Sequence, residues 1–225
     1  MTSRTIARYV MGLPGLLLLL GSVEPASGQE TPNRDPHGPR DVQSYIQSLM
    51  SEERVADLKP DLVVAALMLP EDAIVADLGC GPGVFTVPLA HELRKGVVYA
   101  VDVEPQQLDA LRQRLIEEDL HNVVPVLASY STPHLPPARL NLVLLVDTYH
   151  HIEDRIEYFR RLRAVLRPGG RIAIIEQKAG EPALEARLPE GLRQEELRAA
   201  GFSLLKDFDI HEHHDFELWV PSISF

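Results

Sequence analysis

The residues best equipped for chemistry stand in two short runs. The first is "VADLGCGPGVFT", Val75 to Thr86, where an apolar stretch ends on Asp77 and glycines follow at 79, 81 and 83. Glycine has no Cβ, so Gly79, Gly81 and Gly83 let backbone come close to a ligand. A helix that starts beyond such a loop offers free N–H groups and the positive end of its dipole, which suits a carboxylate or a phosphate. The second run is "VDTYHHI", Val146 to Ile152. Asp147, Tyr149 and His150 can position a substrate there, and His150 or Tyr149 is a candidate general base. The competing reading is that a histidine caps the next helix and Tyr149 only packs. Cys80 lies inside the glycine loop, where a small side chain suffices, and no redox role is expected of it.

The elements around these runs alternate. "AIVADLG", "GVVYAVDV", "NVVPVLAS", "LNLVLLVDT" and "RIAIIEQK" read as strands. "GVFTVPLAHELR", "PQQLDALRQRLIEEDL", "RIEYFRRLRAVL" and "RQEELRAAGF" read as helices. Pro105 opens the second of these, "RPGG" stops the third, and Gly201 ends the fourth. Upstream, Asp41 caps a helix to about Met50 and Pro60 opens another to Leu69. "SLLKDFDI" and "FELWVP" form a closing hairpin whose turn is "HEHHD". Strictly alternating strands and helices imply an α/β fold, a mostly parallel sheet covered on both faces. In such a sheet ligands bind beyond the carboxyl ends of the strands, at the switch point. Both runs fall at such ends.

A second acid narrows the ligand. Asp102 closes "VYAVD", 19 residues after Gly83, the spacing at which a carboxylate can bind ribose hydroxyls. Loop and acid together point to an adenosine-containing cofactor. The dinucleotide pattern G-x-G-x-x-G is not met, because Val84 stands where its third glycine belongs. Asp77 would repel a pyrophosphate but attract an ammonium through a water. S-adenosylmethionine carries an amino group and a carboxylate, and fits better than NAD.

"VADLGCGPG", "VYAVDVEP", "LVLLVDTYHHI" and "LRAVLRPGGRIAIIE" resemble, in order, the motifs of the class I S-adenosylmethionine-dependent methyltransferases. The closest resemblance is to the small-molecule branch with the ubiquinone and menaquinone C-methyltransferases, over about residues 60–220. It implies a Rossmann-like three-layer sandwich with a seven-stranded sheet whose last strand is antiparallel. It also implies that Asp77, Gly79, Cys80, Gly81 and Gly83 hold the methionine moiety, Asp102 the ribose, and that Val103 packs on adenine. Asp147 would stand beside the sulfonium methyl. Relatives often carry an acid near the end of the third strand for the adenine amino group. Here that region reads "VLASYSTPHLP", leaving Ser129 or a backbone carbonyl to substitute.

Composition sets further bounds. The chain has 225 residues and a formal charge of −11, without a run of Lys or Arg, so a nucleic-acid partner is not expected. The single cysteine cannot form an internal disulfide, and "HEHHD" is read as a turn rather than a metal site. Residues 1–28 read as a signal peptide or N-terminal anchor: Arg4 and Arg8, then an apolar core, then Ala26 and Gly28 before a cut at Gln29. Export, or anchoring in a membrane if the segment is kept, is the expected location. Residues 29–40 read as a flexible linker, and residues 41–225 as one S-adenosylmethionine-binding domain. "SEERVADLKPD", Ser51 to Asp61, either covers the cofactor or is a solvated helix pair. The expected activity is methyl transfer to a small-molecule acceptor. The alternatives are a non-catalytic binder of S-adenosylmethionine or a nucleoside and, more remotely, an NAD-dependent oxidoreductase.

Overall fold

The computed structural model describes residues 41–178 and 188–222. The expected signal segment and linker lie outside the described residues. Three short helices lead in: α1 Val42–Leu49, α2 Glu52–Leu58 and α3 Pro60–Ala66. Asp41 caps α1 by accepting from the Gln43 and Ser44 amides, and Ser51 caps α2. The core then alternates β1 Ile74–Leu78, α4 Thr86–Glu92, β2 Val97–Asp102, α5 Pro105–Glu117, β3 Val123–Leu127, β4 Leu140–Val146, α6 Arg155–Leu162, β5 Leu166–Gln177 and α7 Leu192–Ala199. β6 Phe202–Phe208 and β7 His214–Pro221 close it.

The seven strands lie in the order β3-β2-β1-β4-β5-β7-β6. β1 to β5 pair in parallel, and β7 is antiparallel to both β5 and β6. The antiparallel strand expected from the hairpin is therefore inserted between β5 and β6. β1 and β4 are buried on both faces, which explains their unbroken apolar sequences. One face buries Val75, Val98, Leu142, Leu144 and Phe216 against α3 and α4. The other buries Val143, Leu145, Ile174 and Trp219 under α6 and α7. Because β1 is flanked by β2 on one side and β4 on the other, the loops after β1 and β4 leave the sheet side by side at the switch point.

Three boundaries differ from the sequence reading. The helix expected from Gly83 starts at Thr86, since Gly83 sits at φ 90° and cannot be helical. The helix opened by Pro60 ends at Ala66 rather than Leu69, with Met68 in the left-handed region two residues on. β5 begins at Leu166, with "RPGG" inside it, and its register against β4 shifts between Leu140 and Leu142.

Candidate functional site

Gly79, Gly81 and Gly83 all adopt positive φ, the conformation that glycine takes without a Cβ penalty. Their roles differ. A Cβ on Gly79 would press on Thr148, 2.9 Å from its Cβ, so this glycine lets the loop after β1 pack on the loop after β4. A Cβ on Gly83 would press on Leu111 of α5. Only Gly81 turns toward the α1 cap, where a Cβ would stand 3.3 Å from Leu49. Two of the three therefore serve protein packing rather than ligand approach. Gly79→Ala is expected to cost about 2–4 kcal/mol, from crowding plus left-handed strain. Thr148→Ala added to it should restore part of the loss in urea unfolding; equal losses in the single and double variants would refute the packing role.

The loop amides are also committed. The Gly79 and Cys80 amides both donate to Val101 O, at 2.8 and 3.0 Å, and the Gly83 amide to Cys80 O. The Gly81 amide donates to Asp102 Oδ2 at 2.8 Å, and Glu104 N to Asp102 Oδ1 at 2.9 Å. The loop is thus a cradle fastened to β2, with these four amides spent within the protein. Cys80 is buried, and burial pushes its thiol well up.

What the cradle presents is negative charge. Asp77 is buried at the end of β1 and accepts from Thr86 Oγ1 at 2.6 Å. Burial, helped by the Asp102 charge, raises its carboxyl to about 7 against the Thr86 hydrogen bond. Burial also raises Asp102. Gln107 of α5 is buried beside Gly81, 3.8 Å from where a Cβ would stand, and its Oε1 has no partner among the described residues. Val103 is partly exposed at the end of β2. A cationic amino group, a pair of hydroxyl donors and a flat apolar ring would complement these groups. Ser129 is exposed, and its hydroxyl lies against Ser131 and Thr132 O in a turn of its own.

Beyond β4 the second run divides. Tyr149 does not face the cleft: it is fully buried under α6 and α7, against Phe159, and its hydroxyl donates to Glu196 Oε2 at 2.8 Å. Burial and the Glu196 hydrogen bond raise the phenol, and the hydroxyl is held on α7, away from the loops after β1 and β4. Asp147, in the left-handed region at φ 47°, binds Arg54 of α2 at 2.6 Å and faces His214 Nε2 at 3.3 Å. Burial pushes its carboxyl up, but His214 and Arg54 outweigh it and hold it below the usual range. Asp147 is thus an ionised strut that holds α2 to the end of β4.

His150 is different. Its Nδ1–H donates to Glu176 Oε1 at 2.8 Å, and its backbone amide donates to Glu176 Oε2 at 3.2 Å. Glu176, at the end of β5, is buried. Burial works to lower the imidazole, but the Glu176 hydrogen bond and charge prevail and raise it. With Nδ1 so fixed, Nε2 is the basic nitrogen. The carboxylate orients the ring and stabilises its protonated form, which is the arrangement of a general base.

The charged "SEERVADLKPD" region proves to be docked. Arg54 reaches Asp147, Asp57 Oδ2 lies 3.3 Å from His214 Nδ1, Leu58 O meets His211 Nε2 at 2.9 Å, and Lys59 Nζ donates to Ile210 O. "HEHHD" is therefore more than a turn: His211 and His214 are buried and join α2 to the hairpin. Among the described residues no group of three or more His, Cys, Asp or Glu side chains could hold a metal ion. Sequence reasoning missed Glu176, Gln107, Arg54 and His214. Only Gln107, two residues after Pro105 on the first turn of α5, carries a positional signal.

A family model described as a methyltransferase domain matches residues 75–170. Aklanonic acid methyltransferase DauC of Streptomyces sp. (strain C5) is 29% identical over 100 residues, 44% of this chain and 46% of its own. Trans-aconitate 2-methyltransferase of Sinorhizobium medicae is 33% identical over 114 residues, 51% of this chain and 42% of its own. The chain thus spans under half the length of these curated relatives. Among solved structures, a SAM-dependent methyltransferase from Aquifex aeolicus superposes with TM-score 0.73 at 22% identity, over 80% of this chain and 98% of that one. The [4+2]-cyclase SpnF superposes with TM-score 0.59 at 25% identity, over 69% of this chain and 60% of its own.

Proposed function

This chain belongs to the class I S-adenosylmethionine-dependent methyltransferase family, and from that premise we propose that it methylates a small-molecule acceptor with His150 as general base. The observation that carries the proposal is the part-buried His150–Glu176 pair at the switch point, beside a loop that Gly79 packs onto Thr148. Asp77 would hold the ammonium of S-adenosylmethionine, Asp102 and Gln107 its ribose hydroxyls, and Val103 its adenine. When bound, the cofactor supplies an electrophilic methyl group. The chain's own part is to align the acceptor and to take its proton on His150 Nε2, while Glu176 stabilises the imidazolium. A cyclase on the same fold makes turnover the necessary test. Labelled S-adenosylmethionine should pass its methyl group to a component of a metabolite extract. Tight cofactor binding without any transfer would favour a non-catalytic binder.

Binding should be pH-dependent in a defined direction. An ammonium requires Asp77 ionised, and the carboxyl of the empty protein titrates at about 7. Because this value is raised, ionising Asp77 costs the empty protein stability as pH climbs from about 4, and the loss levels off above about 7. Ligand affinity runs the other way. It should rise more than tenfold between pH 5 and 7, with release of close to one proton, then level off. Calorimetry with S-adenosylhomocysteine in two buffers of different ionisation heat measures both. A flat profile would detach Asp77 from the ligand.

We propose export of the mature chain after a cut near Gln29, supported by the order of charged, apolar and small residues at positions 1–28. N-terminal sequencing of protein from fractionated source cells tests it, and a chain that begins at Met1 or Thr2 and lies inside would overturn it.

A further inference from the structure

We propose that α1 is a flap, hinged at Met50 and Ser51, that lifts to admit S-adenosylmethionine and settles over it while α2 stays pinned. The inference rests on the proposed cofactor site for its ligand, and on how unequally the two helices are held for its motion. Arg54, Asp57, Leu58 and Lys59 tie α2 to the loop after β4 and to the β6–β7 hairpin, and Leu58 is fully buried. None of the eight residues of α1 is buried. Its side-chain hydrogen bonds run within the helix and its cap: Asp41 accepts from Gln43 and Ser44, and Ser48 Oγ donates to Tyr45 O. The firm hold comes just past its end. There Met50 packs on the core and its Sδ meets Arg114 Nη1 at 3.5 Å. Ser51 follows, extended at φ −59° and ψ 141°, as the cap of α2. A junction between a loosely held helix and a tightly held one is where a hinge can absorb motion.

The face of α1 nevertheless asks for cover. Val42, Tyr45, Ile46 and Leu49 recur at the spacing of one apolar helix face. Val42, Ile46 and Leu49 are only half-buried, and Tyr45 keeps 37% of its surface exposed. Leu49 leans over the cradle. Its Cδ1 and Gln107 Oε1 stand 3.3 and 3.8 Å from the point that a Cβ on Gly81 would take. Asp102 Oδ2 holds the Gly81 amide beside them.

A second observation points to a ligand under this face. Gln107 is 4% exposed, and its Oε1 has neither solvent contact nor a partner among the described residues. A buried acceptor of this kind is costly unless a donor reaches it. A ribose hydroxyl bound for Gln107 and Asp102 must pass the Leu49 methyl, so the weakly held helix has to yield first. Tyr45, one turn before Leu49, hangs in the field of the same site. Partial burial raises its phenol, Arg54 opposes the rise, and the Asp102 and Asp147 charges add to it. An adenosyl group beneath α1 gives Tyr45 and Leu49 the contact that the protein leaves incomplete.

Hydrogen exchange read by mass spectrometry on the full chain, with and without S-adenosylhomocysteine, tests the flap. Amides of α1 should exchange quickly in the free chain and at least tenfold more slowly in the complex, whereas those of α2 should be protected alike in both. Tyr45→Ala with Leu49→Ala, neither a core position, should speed S-adenosylhomocysteine dissociation at least tenfold in stopped flow and leave α2 protection unchanged. Equal protection of α1 in the two states, α1 and α2 opening together, or an unchanged dissociation rate would each overturn the proposal. Calorimetry on the same samples separates the two readings. Binding with an unresponsive α1 rejects the flap alone, and absence of binding rejects the proposed function and the flap with it.

Discussion

His150→Ala is expected to slow methyl transfer by about 10²–10⁴-fold, the usual contribution of a positioned general base, with cofactor affinity within twofold. The imidazole stands at the end of β4 and is held by a buried carboxylate, so its loss removes the proton acceptor without touching the cradle that Gly79, Gly81 and Asp102 build. Glu176→Gln separates positioning from chemistry. Glu176 raises the imidazole, so its neutralisation should move the acidic limb of the kcat/KM profile to lower pH. It should also lower the plateau, because a less basic nitrogen takes the proton less readily. An acceptor that arrives deprotonated would leave both variants near parental rate, and that result would remove the base from the mechanism.

The second large effect is on binding. Asp102→Ala should weaken S-adenosylhomocysteine by about 2–3 kcal/mol, roughly 30- to 150-fold, for the lost charge-assisted hydrogen bonds. Asp102 also receives the Gly81 and Glu104 amides, so the variant loosens the cradle as well as the ribose contact. Calorimetry gives the affinity, and a thermal melt of the empty protein gives the cradle's share. Parental affinity in a folded Asp102→Ala chain would show that the ribose lies elsewhere.

The parts of this arrangement that were legible are those set by short-range pattern. β1 and β4 read as buried strands because both faces are covered. The glycine loop and Asp102 could be placed because strand ends in an alternating fold fall on one edge of the sheet. The interior of the loop could not be read: whether Gly79 faces a ligand or Thr148 depends on the neighbouring crossover, not on its own sequence. Tyr149 and His150 are adjacent in sequence yet point to different environments, one into the α6–α7 face and one to Glu176. Glu176 itself lies in a strand that reads as plain core. His211 and His214 looked like turn residues because nothing local shows that α2, over 150 residues earlier, packs on them.

The place of β7 bears on how the chain comes to be folded. It is the latest strand in the chain, yet it sits between β5 and β6 instead of on an edge. During synthesis the parallel half of the sheet emerges first, with β5 as an unpaired edge, a hazard for strand-to-strand association until β7 arrives. Only then do His211 and His214 reach Leu58 and Asp57 to fasten α2. Docking of α2 is thus coupled to contacts between residues more than 150 positions apart, a slow class of step, and a chain cut short before His211 would have its cradle built and α2 unfastened.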